Sequence, residues 1–98
     1  MRLTADEAKA IKTAANEVFG PDVIVRLFGS RLHDNIRGGD IDLHLEVDDG
    51  FQDYRHAGEF RWKLMNSIGE RAIDLVCHVR GREPRPIDRV AMGEGIVL

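Results

Sequence analysis

Two aspartates, Asp40 and Asp42, have the residue type and spacing to do chemistry. They lie in the segment 40–47 (DIDLHLEV), where polar and apolar residues alternate strictly. Alternation with a period of two predicts a β-strand, so both carboxylates face the same side, about 6–7 Å apart. Like charges at that distance repel each other unless a cation lies between them. Because Mg²⁺ binds through one or two carboxylates and substrate phosphates, we expect Asp40 and Asp42 to hold this ion.

Two further features support chemistry on a phosphate. Gly29 and Ser30 directly follow an apolar, β-branched segment. A glycine lets a phosphate approach the backbone closely, and a serine hydroxyl and amide can donate to its oxygens. Asp74 lies in a second alternating segment, 72–79, and joins the other carboxylates if the strands pair. Metal-bound carboxylates with a third acid beside them are typical of phosphoryl or nucleotidyl transfer.

The elements that must position these residues follow from periodicity and from helix start and stop signals. Thr4 and Glu7 have the spacing of a capping box before the first helix. The chain is predicted to form a helix over 5–19, a strand over 23–28, a polar loop or turn over 31–39, a strand over 40–47, a helix over 52–68, a strand over 72–79 and a short helix near 87–93. This order predicts a small α/β (α+β) fold, with helices on one face of a mixed sheet and acidic groups on the other.

Length and composition limit the classes of function. The 98 residues are expected to form one domain, 1–98. The net charge of −3 argues against a protein that coats nucleic acid. No apolar run has the length of a membrane span, and the first residues do not resemble a secretion signal. The single cysteine, Cys77, suits a reducing compartment, so we expect a cytoplasmic protein.

Other residues that can bind ligands have a more ordinary interpretation here. His44 and His78 share the acidic faces of their strands, but Mg²⁺ prefers oxygen ligands. We therefore expect both histidines at the surface or behind the metal ligands. Phe60 and Trp62 are expected in the core or against a partner. Cys77, on the apolar side of its strand, is expected to be a buried thiol.

The segment 27–47 (LFGSRLHDNIRGGDIDLHLEV) resembles the signature of the nucleotidyltransferase superfamily that shares the DNA polymerase beta-like palm. That signature has Gly-Ser, a short spacer (31–39 in this chain) and Asp-x-Asp in a strand. With AIDLV at 72–76 and PIDRVAMGEGIVL at 86–98, the chain is similar to the minimal nucleotidyltransferase (MNT) antitoxins. The resemblance covers residues 23–98.

The resemblance implies a palm fold and Mg²⁺-dependent use of ATP. By position in the motif, Gly29, Ser30 and Arg31 would bind the ATP phosphates. Asp40 and Asp42 would hold the metal, and Asp74 would be the third carboxylate, as a metal ligand and in catalysis. Leu32-His33 stands where many relatives have Ala-Arg, which bears on how tightly the triphosphate is bound.

The family also implies a partner. MNT proteins are typically encoded beside a HEPN-domain toxin, commonly an RNase, and members transfer AMP from ATP to a tyrosine hydroxyl of that toxin. The resemblance therefore implies an antitoxin that is a protein adenylyltransferase. Two alternatives stay open at this point: a non-catalytic antitoxin that neutralises its toxin by binding, and a nucleotidyltransferase for a small molecule.

Overall fold

A computed structural model describes residues 3–29 and 41–98. The elements follow the predicted order and end within two residues of the predicted bounds, with one short strand added at the end. They are α1 (Ala5–Phe19), β1 (Ile24–Phe28), β2 (Ile41–Val47), α2 (Tyr54–Ile68), β3 (Ile73–Val79), α3 (Pro86–Glu94) and β4 (Ile96–Val97). The predicted loop or turn over 31–39 lies outside the described residues. None of the helices in the described ranges is long and apolar enough to cross a membrane.

The four strands form one mixed sheet in the order β3-β2-β1-β4. β1 is antiparallel to both β2 and β4, whereas β2 and β3 are parallel. Parallel neighbours need a long crossover, and α2 supplies it between β2 and β3. The predicted small α+β fold with a mixed sheet is confirmed. A two-residue strand such as β4 is too short to leave a periodic signal, so the sequence did not predict it.

The hydrophobic core lies between the sheet and the helices α1 and α2. The capping box of Thr4 and Glu7 is present, and the Glu7 amide donates to the Thr4 hydroxyl at 3.0 Å. Phe19 of α1 and Phe60 of α2 pack edge to face with ring centroids 5.5 Å apart. The core-facing residues of β2 are fully buried; they are Ile41, Leu43, Leu45 and Val47. The sheet therefore has one apolar face, as the alternation predicts.

The third helix corrects the prediction that all helices lie on one face. His44 alternates with the core residues of β2, so it faces the opposite side of the sheet. There its Nε2 lies 2.8 Å from the Asp88 carboxylate of α3, and both side chains are fully buried. α3 thus covers part of the second face. Its Asp88 gives the buried His44 the hydrogen-bonding partner that a buried polar group needs.

Candidate functional site

Asp42 and Asp74 form a row of two carboxylates across neighbouring strands. β2 and β3 are parallel and Asp42 pairs directly with Asp74, so both side chains project from the same face. Each is the second residue of its strand, which places both at one end of the sheet. Asp42 is half-buried and Asp74 is exposed. The strand pairing on which the prediction for Asp74 depended is therefore present.

Gly29 lies next to Asp42, on the side of β2 away from Asp74. It directly follows β1, whose last residue, Phe28, pairs with Asp42 in the antiparallel register. Gly29 has φ +77°, a conformation that other residues adopt at a cost. A Cβ atom at this position would overlap the Asp42 carboxylate. Conformation and space both require glycine, and the Asp42 carboxylate lies against its backbone.

The structure brings together three of the six predicted site residues. Gly29, Asp42 and Asp74 meet at one end of the sheet. The predictions for Ser30, Arg31 and Asp40 fall outside the described residues, as does that for Leu32-His33.

The donors at this end of the sheet fit a hard divalent cation. Asp42 and Asp74 offer carboxylate oxygens in one row, and the Asp42 carboxylate lies against the Gly29 backbone. Within residues 3–29 and 41–98, no group of three or more His, Cys, Asp or Glu could hold a metal ion. Mg²⁺ does not require three protein ligands, since it commonly keeps waters and shares one or two carboxylates with substrate phosphates. These residues could therefore hold Mg²⁺ together with a nucleotide.

A buried polar cluster lies next to the carboxylate row; its His44 and Asp88 are buried, and its Arg85 extends to the surface. The Asp88 carboxylate accepts from the Arg85 amide at 2.8 Å, from Arg85 Nε at 2.9 Å and from His44 Nε2 at 2.8 Å. These bonds, those from the Arg85 guanidinium above all, hold the pKa of Asp88 far below its usual range. Burial is the main cause that lowers the pKa of His44.

His44 does not lie at the surface as predicted, because it is buried against Asp88. Its place behind metal ligands stays a prediction. His78 is also buried, and its Nε2 donates to the Arg82 carbonyl at 2.9 Å. One signal for the cluster was present in the sequence. Pro86 at the first helical position and an acid two residues later are typical of a helix start, which places Asp88 beside Arg85.

The predictions for Phe60, Trp62 and Cys77 have different outcomes. Phe60 is fully buried, as expected for the core. Trp62 is 61% exposed and so is not a core residue; its contact with a partner stays a prediction. Cys77 is half-buried, and burial raises the pKa of its thiol, as expected for a thiol of low reactivity.

No protein-family model matches the chain, and no curated protein matches it at a significant level.

Proposed function

We propose that this protein is a Mg²⁺-dependent nucleotidyltransferase, a protein adenylyltransferase that acts as an antitoxin. The observation that carries the proposal is the carboxylate row: Asp42 and Asp74 are paired in register, with the Gly29 backbone against Asp42. Carboxylates directly opposite each other in a sheet repel, and a cation bound between them would offset that repulsion. The resemblance to MNT antitoxins supplies the reaction class.

In the proposed reaction, Asp42 and Asp40 bind the metal, and Gly29 with Ser30 binds the β- and γ-phosphates of ATP. A bound divalent cation neutralises the triphosphate and makes pyrophosphate a better leaving group. Asp74, the exposed member of the row, would be the third ligand of the metal and would accept the proton of the acceptor hydroxyl, directly or through the metal. The hydroxyl oxygen then forms a bond to the α-phosphorus, the bond to pyrophosphate breaks, and AMP stays on the acceptor.

The proposed acceptor is a tyrosine hydroxyl of a cognate HEPN-domain RNase toxin. The resemblance alone supports this identity, whereas the carboxylate row supports the chemistry for any hydroxyl acceptor. The two parts of the proposal therefore need separate readouts.

The test combines the purified protein with the product of its neighbouring gene, α-labelled ATP and Mg²⁺, and follows both chains by intact-mass spectrometry. An AMP-sized mass increase on the neighbour is expected with the wild type, and none with Asp42→Asn. Asp22→Asn is the matched control, because Asp22 precedes β1 and lies at the end of that strand away from Gly29. Circular dichroism establishes that both variants are folded.

Two results would contradict the proposal. Full transfer by Asp42→Asn would remove the carboxylate row from the mechanism. An unmodified neighbour in a tight complex with the wild type would favour the non-catalytic antitoxin instead.

A further inference from the structure

Among the described residues, no strand pairs with the outer edge of β3, and a groove that the proposed reaction does not use lies beside it. β3 is the last strand of the sheet on its side. Ile41 donates to the Ala72 carbonyl at 2.9 Å, and Arg80 donates to the Val47 carbonyl at 2.8 Å. Even-numbered residues of β3 therefore bond to β2, and the odd-numbered ones direct their amides and carbonyls outward. A groove of about 930 Å³ runs along this edge, between β3, α2 and the segment 79–85.

This edge is rich in hydrogen-bond donors. The Arg61 guanidinium donates to the Ile73 carbonyl, and the Arg85 guanidinium donates to the Cys77 carbonyl at 2.6 Å. Two outward carbonyls are thus occupied by cationic groups. In the part of the chain that the structure describes, the outward amides of Leu75 and Cys77 have no acceptor. A ligand of this edge must therefore supply acceptors.

The charges of the groove also favour an anionic ligand. Arg61 has no carboxylate within ion-pair distance among the described residues. The groove also has two acids: Asp53 accepts from the amide and the ring of His56 as the N-cap of α2, and Glu83 lies 3.9 Å from the Arg89 guanidinium. The groove has apolar residues at its base, Leu75 and Cys77 among them. The groove can therefore bury apolar side chains of a ligand while Arg61 pairs with a carboxylate of that ligand.

We propose that this groove binds an acidic segment of a partner protein, which adds to β3 as an extended strand. The outward amides of alternate residues are about 6.6–6.8 Å apart, the repeat at which another strand presents its carbonyls. Such strand addition gains affinity from main-chain hydrogen bonds and specificity from alternate side chains. On the side of the segment that faces α2, a glutamate or aspartate pairs with Arg61, and apolar residues two positions away pack on Leu75 and Cys77.

The position of the groove relates this binding to the carboxylate row. Leu75, at one end of the groove, directly follows Asp74 in β3. A segment bound along β3 therefore passes beside the site where the acceptor hydroxyl would react. This last step rests on the proposed function, whereas the binding of the segment does not.

Fluorescence anisotropy tests the binding with a fluorescein-labelled peptide of repeating Glu-Thr-Val-Thr (the Glu-Val peptide), in which Glu and Val lie on the same side of an extended strand. The wild type is expected to bind it, and added salt to weaken the complex. Arg61→Gln is expected to weaken binding roughly tenfold, because a charged hydrogen bond is lost. Arg55→Gln is the matched control, since Arg55 is an exposed residue of the same helix that does not line the groove.

A second variant blocks the groove without removing a charge. Gly58 lines the groove from α2, has no neighbour within 4 Å of an added Cβ and does not have a positive φ. Gly58→Phe is therefore expected to fold and to abolish binding of the Glu-Val peptide. Circular dichroism and thermal unfolding establish that the fold is retained.

Three results would overturn the proposal: no binding of the Glu-Val peptide, equal binding of a Lys-Val peptide, or tighter binding of a single-stranded oligouridine, which would make the edge a nucleic-acid site. Transfer and binding can also fail separately. A wild type that binds the peptide but transfers no AMP retains the groove and loses the proposed function. A wild type that transfers AMP but does not bind the peptide supports the proposed function and overturns the proposed groove.

Discussion

The carboxylate row and the buried polar cluster share one face of the sheet, where Asp42 and His44 lie two residues apart in β2. The two regions differ in how their carboxylates are paired. In the buried polar cluster, Asp88 is fully enclosed and accepts from both Arg85 and His44. In the carboxylate row, Asp42 lies directly opposite another acid, and the exposed Asp74 forms no ion pair with a described residue. One region pairs its charge within the protein, and the other presents like charges side by side.

This difference separates an acid enclosed by hydrogen-bond donors from two acids paired directly across neighbouring strands. Removing a buried carboxylate is destabilising, because the groups that donate to it lose their hydrogen bonds. Like charges opposite each other in a sheet are destabilising as they stand. Substitutions in the two regions should therefore change the free energy of unfolding in opposite directions, which the following predictions use.

Asp88→Ala is expected to have the largest effect on stability. It removes a buried acceptor of several hydrogen bonds and leaves His44 buried without its partner, so the free energy of unfolding should fall by about 3 kcal/mol. Urea unfolding followed by circular dichroism measures this change, with Glu83→Ala, an exposed acid of the preceding loop, as the control. A loss under about 1 kcal/mol would mean that the cluster does not hold α3 in place.

Gly29→Ala is expected to destabilise by about 2 kcal/mol or more, because it combines backbone strain with overlap of the Asp42 carboxylate. Gly81→Ala is the matched control. Gly81 also has a positive φ, +94°, but nothing lies within 4 Å of an added Cβ, so it should cost about 1 kcal/mol for strain alone. Equal losses in the two variants would contradict the close contact between Gly29 and Asp42.

Lowering the pH is expected to reduce the free energy of unfolding by less than Asp88→Ala does, because protonation removes no side chain. The pKa of His44 is lower in the folded chain than its usual 6.5, so the unfolded chain takes up a proton first and stability falls as the pH drops below about 6.5. The pKa of Asp88 is also lowered, so its contribution is complete above about pH 4 and is lost below that. Urea midpoints from about pH 8 to pH 5 should decline in the wild type and stay flatter in His44→Gln. The same decline in both would exclude His44 as its source.

Asp74→Asn is expected to have the smallest effect and the opposite sign. Removing one charge of the row relieves repulsion with Asp42, which should raise the free energy of unfolding by about 0.5 kcal/mol in the absence of Mg²⁺. The same urea experiment measures it, and Asp22→Asn is expected to leave stability unchanged within about 0.5 kcal/mol. Destabilisation by Asp74→Asn would show that this acid serves the fold.

The sequence predicted the parts of the fold that depend on local pattern. Alternation in 40–47 and 72–79 predicted two strands with their aspartates on the polar face, and the structure confirms this for Asp42 and Asp74. The capping residues Thr4 and Glu7 predicted the start of α1. These signals are local because each depends on neighbours a few positions apart.

The parts that depend on distant contacts could not be predicted in the same way. The register that pairs Asp42 with Asp74 arises from two strands separated by α2. The contact of His44 with Asp88 joins positions 44 residues apart, so nothing near either residue indicates it. For the same reason, the sequence placed all helices on one face, whereas α3 lies on the other.

The most direct test of the central claim, that the carboxylate row binds a metal–nucleotide complex, is calorimetric titration of the wild type and Asp74→Asn with a non-hydrolysable ATP analogue, with and without Mg²⁺. The wild type should bind the analogue only with Mg²⁺, and Asp74→Asn should bind it at least about tenfold more weakly, a loss of about 1.4 kcal/mol. Asp22→Asn should match the wild type. Equal affinity in Asp74→Asn, or binding that does not depend on Mg²⁺, would contradict the assignment of Asp42 and Asp74 to the metal.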